Sequence, residues 1–151
     1  MDWDSLFMKY VWNKQTTPYF TSVENLNLRQ ANSEILIYSI FLAVFFGIVS
    51  VLTTLGVTGN KSFGVSFYGF TVVCAAVLFV IMKSYYAALF LSATPIISMA
   101  YVYFYGLGAE RARIDTVIVT GILILLAIYS YRIVTIAKNY HGYPDINPDD
   151  S

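Results

Sequence analysis

Charged residues cut this chain into long apolar stretches. Between Glu34 and Lys61 lie 26 uncharged residues, apolar from Ile35 to about Leu55 before Gly56, Gly59 and Asn60 signal a turn. Lys61 and Lys83 bound a second stretch of 21 residues, and residues 84–109 form a third of 26 that ends around Gly106 and Gly108. The fourth is less clean. Only 16 residues separate Asp115 from Arg132, so a full crossing must run to about Ala137 and carry Arg132 in its last turns. A guanidinium there can snorkel toward headgroups.

About 20 residues of helix cover a hydrocarbon core of roughly 30 Å, so each stretch is long enough to cross a bilayer. A crossing must satisfy its own backbone hydrogen bonds, and four segments cannot close a barrel. The pattern therefore predicts an all-α integral membrane protein with four transmembrane helices, at about 35–55, 63–82, 86–107 and 115–137. These form a domain over 34–138, between an arm at 1–33 and a tail at 139–151.

Four crossings place both termini on one side. That side carries Lys9, Lys14, Arg29, Lys83, Arg132 and Lys138, against Lys61, Arg111 and Arg113 opposite. The positive-inside rule then puts both termini in the cytoplasm. Tyr38, Tyr85, Tyr86, Tyr129 and Tyr131 would gather near one interface, and Phe63, Tyr68, Tyr101, Tyr103 and Tyr105 near the other, as amphipathic rings prefer. A bacterial cytoplasmic membrane fits this count, with an organellar membrane as the alternative.

The arm has its own periodicity. Trp3, Leu6, Phe7, Tyr10 and Val11 recur at i, i+3, i+4, i+7 and i+8, the stripe of an amphipathic helix, with Asp2 or Asp4 as its N-cap. Such a helix can lie at the membrane interface or dock in a partner's groove. Pro18 ends it, and Thr21-Ser22-Val23-Glu24 has the form of a capping box opening a short helix toward the first crossing. The arm lacks the apolar region of a cleavable signal peptide and is expected to be retained.

Composition reinforces the membrane reading. Of the 151 residues 58% are apolar and 12% charged, with a mean hydropathy of +0.64, far from an ordinary soluble domain. Nine basic and nine acidic residues leave no net charge, so the field that draws a protein onto nucleic acid is absent. One cysteine, Cys74, excludes an internal disulfide and any metal site needing several thiolates from this chain.

Candidate chemistry is sparse. The four crossings contain no Asp, Glu, Lys or His in their interiors, and Glu34 and Asp115 are expected as boundary residues at opposite interfaces. Asp115 also complements the dipole at the start of the fourth helix. Haem would need axial ligands and a retinal-type pigment a lysine within a crossing; neither is present. His141 lies near Asp145, Asp149 and Asp150 in the tail, without a compact ligand spacing, and reads as solvated. No serine has a nearby base, and the Gly56–Gly59 turn lacks a phosphate loop's Lys-Ser/Thr placement. Arg111 and Arg113 are read as a solvated connection.

Packing surface is more abundant. Ser39, Ala43 and Gly47 are spaced by four on the first helix, as are Thr71 and Ala75 on the second and Ala88 and Ser92 on the third, faces that let helices approach closely. Pro95, midway along the third crossing, removes a donor and crowds the carbonyl of Leu91, predicting a kink there, with Ser92, Thr94 and Ser98 available to the freed groups. The short link at Lys83 predicts an antiparallel hairpin of the second and third helices.

These features point to a non-catalytic accessory or scaffold subunit of a larger membrane assembly, such as a respiratory or photosynthetic complex, partnered by other membrane subunits and lipids. A small homo-oligomeric transporter or channel for a neutral or weakly polar solute is the alternative. A third reading is a lipid, quinone or pigment held between helices without coordination; no intrinsic cofactor and no nucleic-acid partner is expected.

Overall fold

The computed structural model describes residues 22–56, 63–105 and 113–144. The arm residues Trp3, Leu6, Phe7, Tyr10 and Val11 lie outside the described residues, as do residues 57–62 and the acidic end of the tail. The described chain is helical and contains no strand. Four helices, α1 (Leu28–Leu55), α2 (Phe63–Met82), α3 (Tyr85–Tyr105) and α4 (Arg113–Asn139), are each long and apolar enough to cross a membrane.

The helix ends follow from local chemistry. α1 begins seven residues before its apolar stretch because Asn27 and Gln30 form a reciprocal capping box: the Asn27 side chain accepts the Gln30 N–H at 2.7 Å and the Gln30 side chain accepts the Asn27 N–H at 3.0 Å. The box expected at Thr21–Glu24 rests on Thr21, which lies outside the described residues; Ser22 precedes a single 3-10 turn at Val23–Asn25 without a side-chain cap bond. Gly56 closes α1 at φ 74°, its N–H reaching the carbonyls of Leu52 and Thr53.

α2 and α3 are joined by two residues. Lys83 stands at φ 51°, a left-handed conformation unfavourable for a side chain with a Cβ, and its N–H bonds to the Phe79 carbonyl at 2.9 Å. The Ser84 carbonyl accepts the first helical bond of α3, from Ala88, at 3.1 Å. The expected hairpin follows.

The helices alternate in direction around one core, in which Leu42 and Phe46 of α1 meet Val72, Ala76 and Phe79 of α2, Leu91 of α3, and Leu123, Ile133 and Ile136 of α4. α1 and α2 come close at Gly69, where an added Cβ would lie 2.9 Å from the Phe46 carbonyl oxygen and 3.1 Å from the Ser50 Cβ. The Ser50 hydroxyl also donates across this seam to the Ser66 carbonyl at 2.8 Å. At the other end of α1 the two ends of the described chain meet: the Leu28 N–H bonds to the Pro144 carbonyl at 3.1 Å and the Tyr140 hydroxyl donates to the Asn32 side chain at 2.7 Å. Leu26 is buried beneath them.

Pro95 lies inside α3, which continues helical on both sides of it, and is buried. The hydroxyl that reaches the Leu91 carbonyl freed by the proline is not one of the expected neighbours on α3 but Tyr38 of α1, at 3.4 Å. Ser92 and Thr94 instead bond back to Leu89 and Phe90.

Candidate functional site

The polar chemistry of the described residues concentrates between the first and last helices. Glu34 lies on the second turn of α1 and Arg132 two turns from the end of α4, and because the helices run antiparallel the two reach the same level. The Arg132 Nη2 donates to Glu34 Oε1 at 2.7 Å and its Nε to Oε2 at 2.8 Å. This is a two-pronged guanidinium–carboxylate pair, short enough to be charge-assisted on both prongs. The Tyr129 hydroxyl adds a third donor to Oε2 at 3.2 Å.

Glu34 is fully buried, whereas the Arg132 side chain keeps 18% of its surface. The expectation of Glu34 as a membrane-boundary residue gave it no partner; the carboxylate is buried and paired with Arg132. α1 starts upstream, so Glu34 sits within the helix, near enough to Tyr143 for its charge to act on that hydroxyl. Arg132 does not snorkel alone; its charge is matched. The Tyr143 hydroxyl, buried just above without a hydrogen-bond partner among the described residues, has its pKa raised by burial and by the Glu34 charge, with Arg132 opposing.

One turn further into the bundle a second contact joins the same helices. The Tyr38 and Ser130 hydroxyls meet at 2.7 Å, and Ser130 lies 2.6 Å from the Leu126 carbonyl of its own helix. Two hydroxyl protons serve three acceptor positions here, so the longer contact to Leu91 is the weaker. The Tyr38 and Tyr129 rings pack at 6.0 Å between centroids.

Because these long side chains prop α1 and α4 apart, a groove of about 670 Å³ opens between them, lined by Ile37, Tyr38 and Phe41 on one wall and by Ile122, Leu125 and Ile128 on the other, with Arg132 at its end.

The small residues singled out in the sequence do not form one surface. Ser39 and Ala88 are buried in the bundle, and the Ser39 hydroxyl has no hydrogen-bond partner among the described residues. Gly47 faces α2, where an added Cβ would meet Val73 at an ordinary 3.8 Å. With Ala43 it also borders a shallow outer groove on α1, alongside Val44, Ile48, Val51 and Leu52. Ala75 packs against the core, while the Thr71 and Ser92 hydroxyls are taken up by their own helices. Reasoning from sequence missed Gly69, which has no small partner four residues away, and missed the pairing of Glu34 with Arg132.

Among the described residues no three or more His, Cys, Asp or Glu side chains gather to hold a metal ion. The side chain of Asp115 is outside the description, and Cys74 is exposed on α2. Comparisons with protein-family models, curated proteins and solved structures found no match for this chain.

Proposed function

We propose that the chain is a non-catalytic accessory subunit of a larger membrane assembly, embedded by its four helices with both termini on the cytoplasmic face of a bacterial inner membrane. The observation that carries this reading is the mutual neutralisation of Glu34 and Arg132, both inside candidate spans, within a bundle whose outward faces are apolar. Ionisable groups at membrane depth ordinarily mark ion or substrate pathways. This pair is committed to joining two helices, as a structural role requires.

The outer surface gives such a subunit somewhere to dock. Ile40, Val44, Ile48 and Val51 on α1 and Phe67, Phe70 and Ile81 on α2 are exposed, a face that lipid or another subunit must cover. The shallow groove at Ala43 and Gly47 is where a foreign helix can come nearest the α1 backbone.

Extraction at native abundance in mild detergent, followed by native gel electrophoresis and cross-linking, tests the reading. The chain is expected to migrate with other polypeptides and to cross-link to them through residues such as Val44 and Ile48 once these carry photoreactive side chains. Migration as an isolated chain with no cross-linked polypeptide would remove the proposal.

A further inference from the structure

We infer that the segment Tyr140–Pro144 is a strap that closes over the start of α1 and keeps water from the Glu34–Arg132 pair, so that its release loosens the joint between the first and last helices. Such a strap works in the same way in an accessory subunit, a transporter or a chain on its own.

The start of α1 is where a carboxylate would ordinarily be wet. Glu34 lies on the second turn, at the end of the bundle where both ends of the described chain meet. Yet Ala31 and Glu34 are fully buried, and Leu26, ahead of the helix, keeps 1% of its surface. Tyr140 and Tyr143 of the strap pack against the apolar cluster to which Leu26, Ala31 and Ile136 belong. Two hydrogen bonds fix the strap to α1. The Tyr140 hydroxyl donates to the Asn32 side chain at 2.7 Å, two residues before Glu34. The Pro144 carbonyl accepts the Leu28 N–H at 3.1 Å, a helix-terminal donor with no acceptor inside α1. Between these bonds Tyr143 buries its hydroxyl near enough to the pair to sense the charges of both Glu34 and Arg132.

The strap is also the part of this end with least to hold it. Its helical part is a single 3-10 turn, tied to α1 by those two bonds and by two part-buried rings, whereas the four helices share one packed core. Segments of this kind open locally at a lower cost than unfolding the whole chain. Opening has a defined consequence at the pair. Salt and water weaken an exposed ion pair far more than a buried one. Arg132 already keeps 18% of its side-chain surface, so Glu34 is the member that the strap seals. With the strap closed the joint of α1 and α4 is insulated; with it open the joint becomes a surface pair.

A double-mutant cycle reads that joint. The unaltered chain, Glu34→Met, Arg132→Met and the double variant are unfolded with denaturing detergent in about 0.1 M and about 1 M NaCl, where screening lengths are about 10 and 3 Å. The same four proteins are then compared in a chain ending at Asn139. In the full chain the coupling of Glu34 to Arg132 should be equal at both salt concentrations. In the shortened chain it should be smaller by about tenfold or more in the unfolding equilibrium constant, and should shrink further in the higher salt. Tyr140→Phe, which removes only the bond to Asn32, provides a milder test in the full chain. Amide exchange at Leu28 should rise by about threefold or more, as the loss of one net hydrogen bond implies, with exchange in the middle of α1 unchanged.

A coupling of the same size and salt response with and without residues 140–151 would overturn the inference. So would a coupling in the full chain that already falls with salt, because the pair would then be wet beneath a closed strap. Should the shortened chain not fold, Tyr140→Phe decides. Unchanged exchange at Leu28, or a rise shared by the whole of α1, would show that the segment does not open as a strap.

Discussion

The seam between α1 and α2 and the seam between α1 and α4 join the same helix to its two neighbours by opposite means. Along the first, a glycine lets backbones touch: Gly69 lies against the Phe46 carbonyl, and short hydroxyls at Ser50 and Ser66 bond over the gap. Along the second, backbones stay apart and long side chains span the distance, Glu34 to Arg132 and Tyr38 to Ser130. In the lipid surround proposed for these helices, oily contact would give no net drive to associate, so helices would hold together by close fit or by polar bonds. Here one helix uses each on a different face. The close-fitted seam opens toward its far end, in a groove of about 520 Å³ at Ser50, Thr54 and Ser66, whereas the bonded seam is bordered by an apolar groove of about 670 Å³.

The contrast breaks most severely at the ion pair. Arg132→Met leaves Glu34 buried without its partner, and Glu34→Gln leaves the guanidinium half-enclosed without an anion; stranding one member of a buried pair costs about 3–5 kcal/mol. Titration with a denaturing detergent from mixed micelles measures this directly. Replacing both, Glu34→Met with Arg132→Met, should cost less than either single change, because nothing charged is left behind. If the double variant were instead as unstable as the sum of the singles, the pair would not act as a unit.

The close-fitted seam should respond next. Gly69→Ala places a methyl against backbone that has no flexible end to move aside, and such overpacking costs about 1–3 kcal/mol. Gly47→Ala adds the same methyl at 3.8 Å from Val73, an ordinary contact, and should change stability little in the same titration. A reversal of this order would place the tight seam at the small-residue stripe that the sequence suggests.

That stripe shows what the chain made legible and what it hid. The four helices are readable because lipid-length stretches without charge have few other meanings, and their ends fall within a few residues of expectation except at α1. There a polar capping box at Asn27 and Gln30 extends the helix beyond the apolar run. This extension is why the burial of Glu34 was not foreseen: a carboxylate just outside an apolar stretch reads as a boundary residue until the helix is known to start upstream. Its partner is 98 residues away, and neither residue belongs to a local pattern. Opposite charges at the same end of the first and last crossings were the available signal. Gly69 was missed because a lone glycine lacks the four-residue spacing that marks a packing stripe, although what the seam needs is one point of approach. The freed Leu91 carbonyl was foreseen from Pro95, but its partner Tyr38 lies on another helix, where sequence proximity gives no guide.

A smaller effect sharpens the bonded seam from within. Tyr38→Phe removes the hydroxyl that meets Ser130 and reaches Leu91 while keeping the ring that packs on Tyr129. Interhelical hydrogen bonds in membrane bundles average about 0.6 kcal/mol and reach about 1.7. The loss in the same titration should fall in that range, well below that of Arg132→Met. A loss as large as the ion pair's would mean that the hydroxyl, not the charge, holds α4 to α1.

The smallest effect lies outside both seams, in the two-residue link that sets α2 against α3. Lys83 holds a left-handed backbone that glycine adopts without strain, so Lys83→Gly should raise stability by about 0.5–1 kcal/mol, the relief of strain exceeding the extra freedom of the unfolded chain. Burial also pushes the Lys83 ammonium below its usual pKa of 10.5, and this contribution has a sign that pH can isolate. At neutral pH the lysine is protonated folded and unfolded, and the whole cost of burying its charge is present. As pH rises through the lowered folded pKa toward 10.5, the folded chain sheds the proton first, the unfolded chain binds more protons, and the native protein gains stability. The advantage of Lys83→Gly should therefore narrow in alkali. Lys83→Met, which keeps the strained backbone and loses only the charge, should show that narrowing without the pH-independent gain. Tyr143, raised in the folded chain, destabilises all three proteins alike as it ionises and cancels from the differences. An advantage of Lys83→Gly that stays constant into alkali would assign the effect to backbone strain alone.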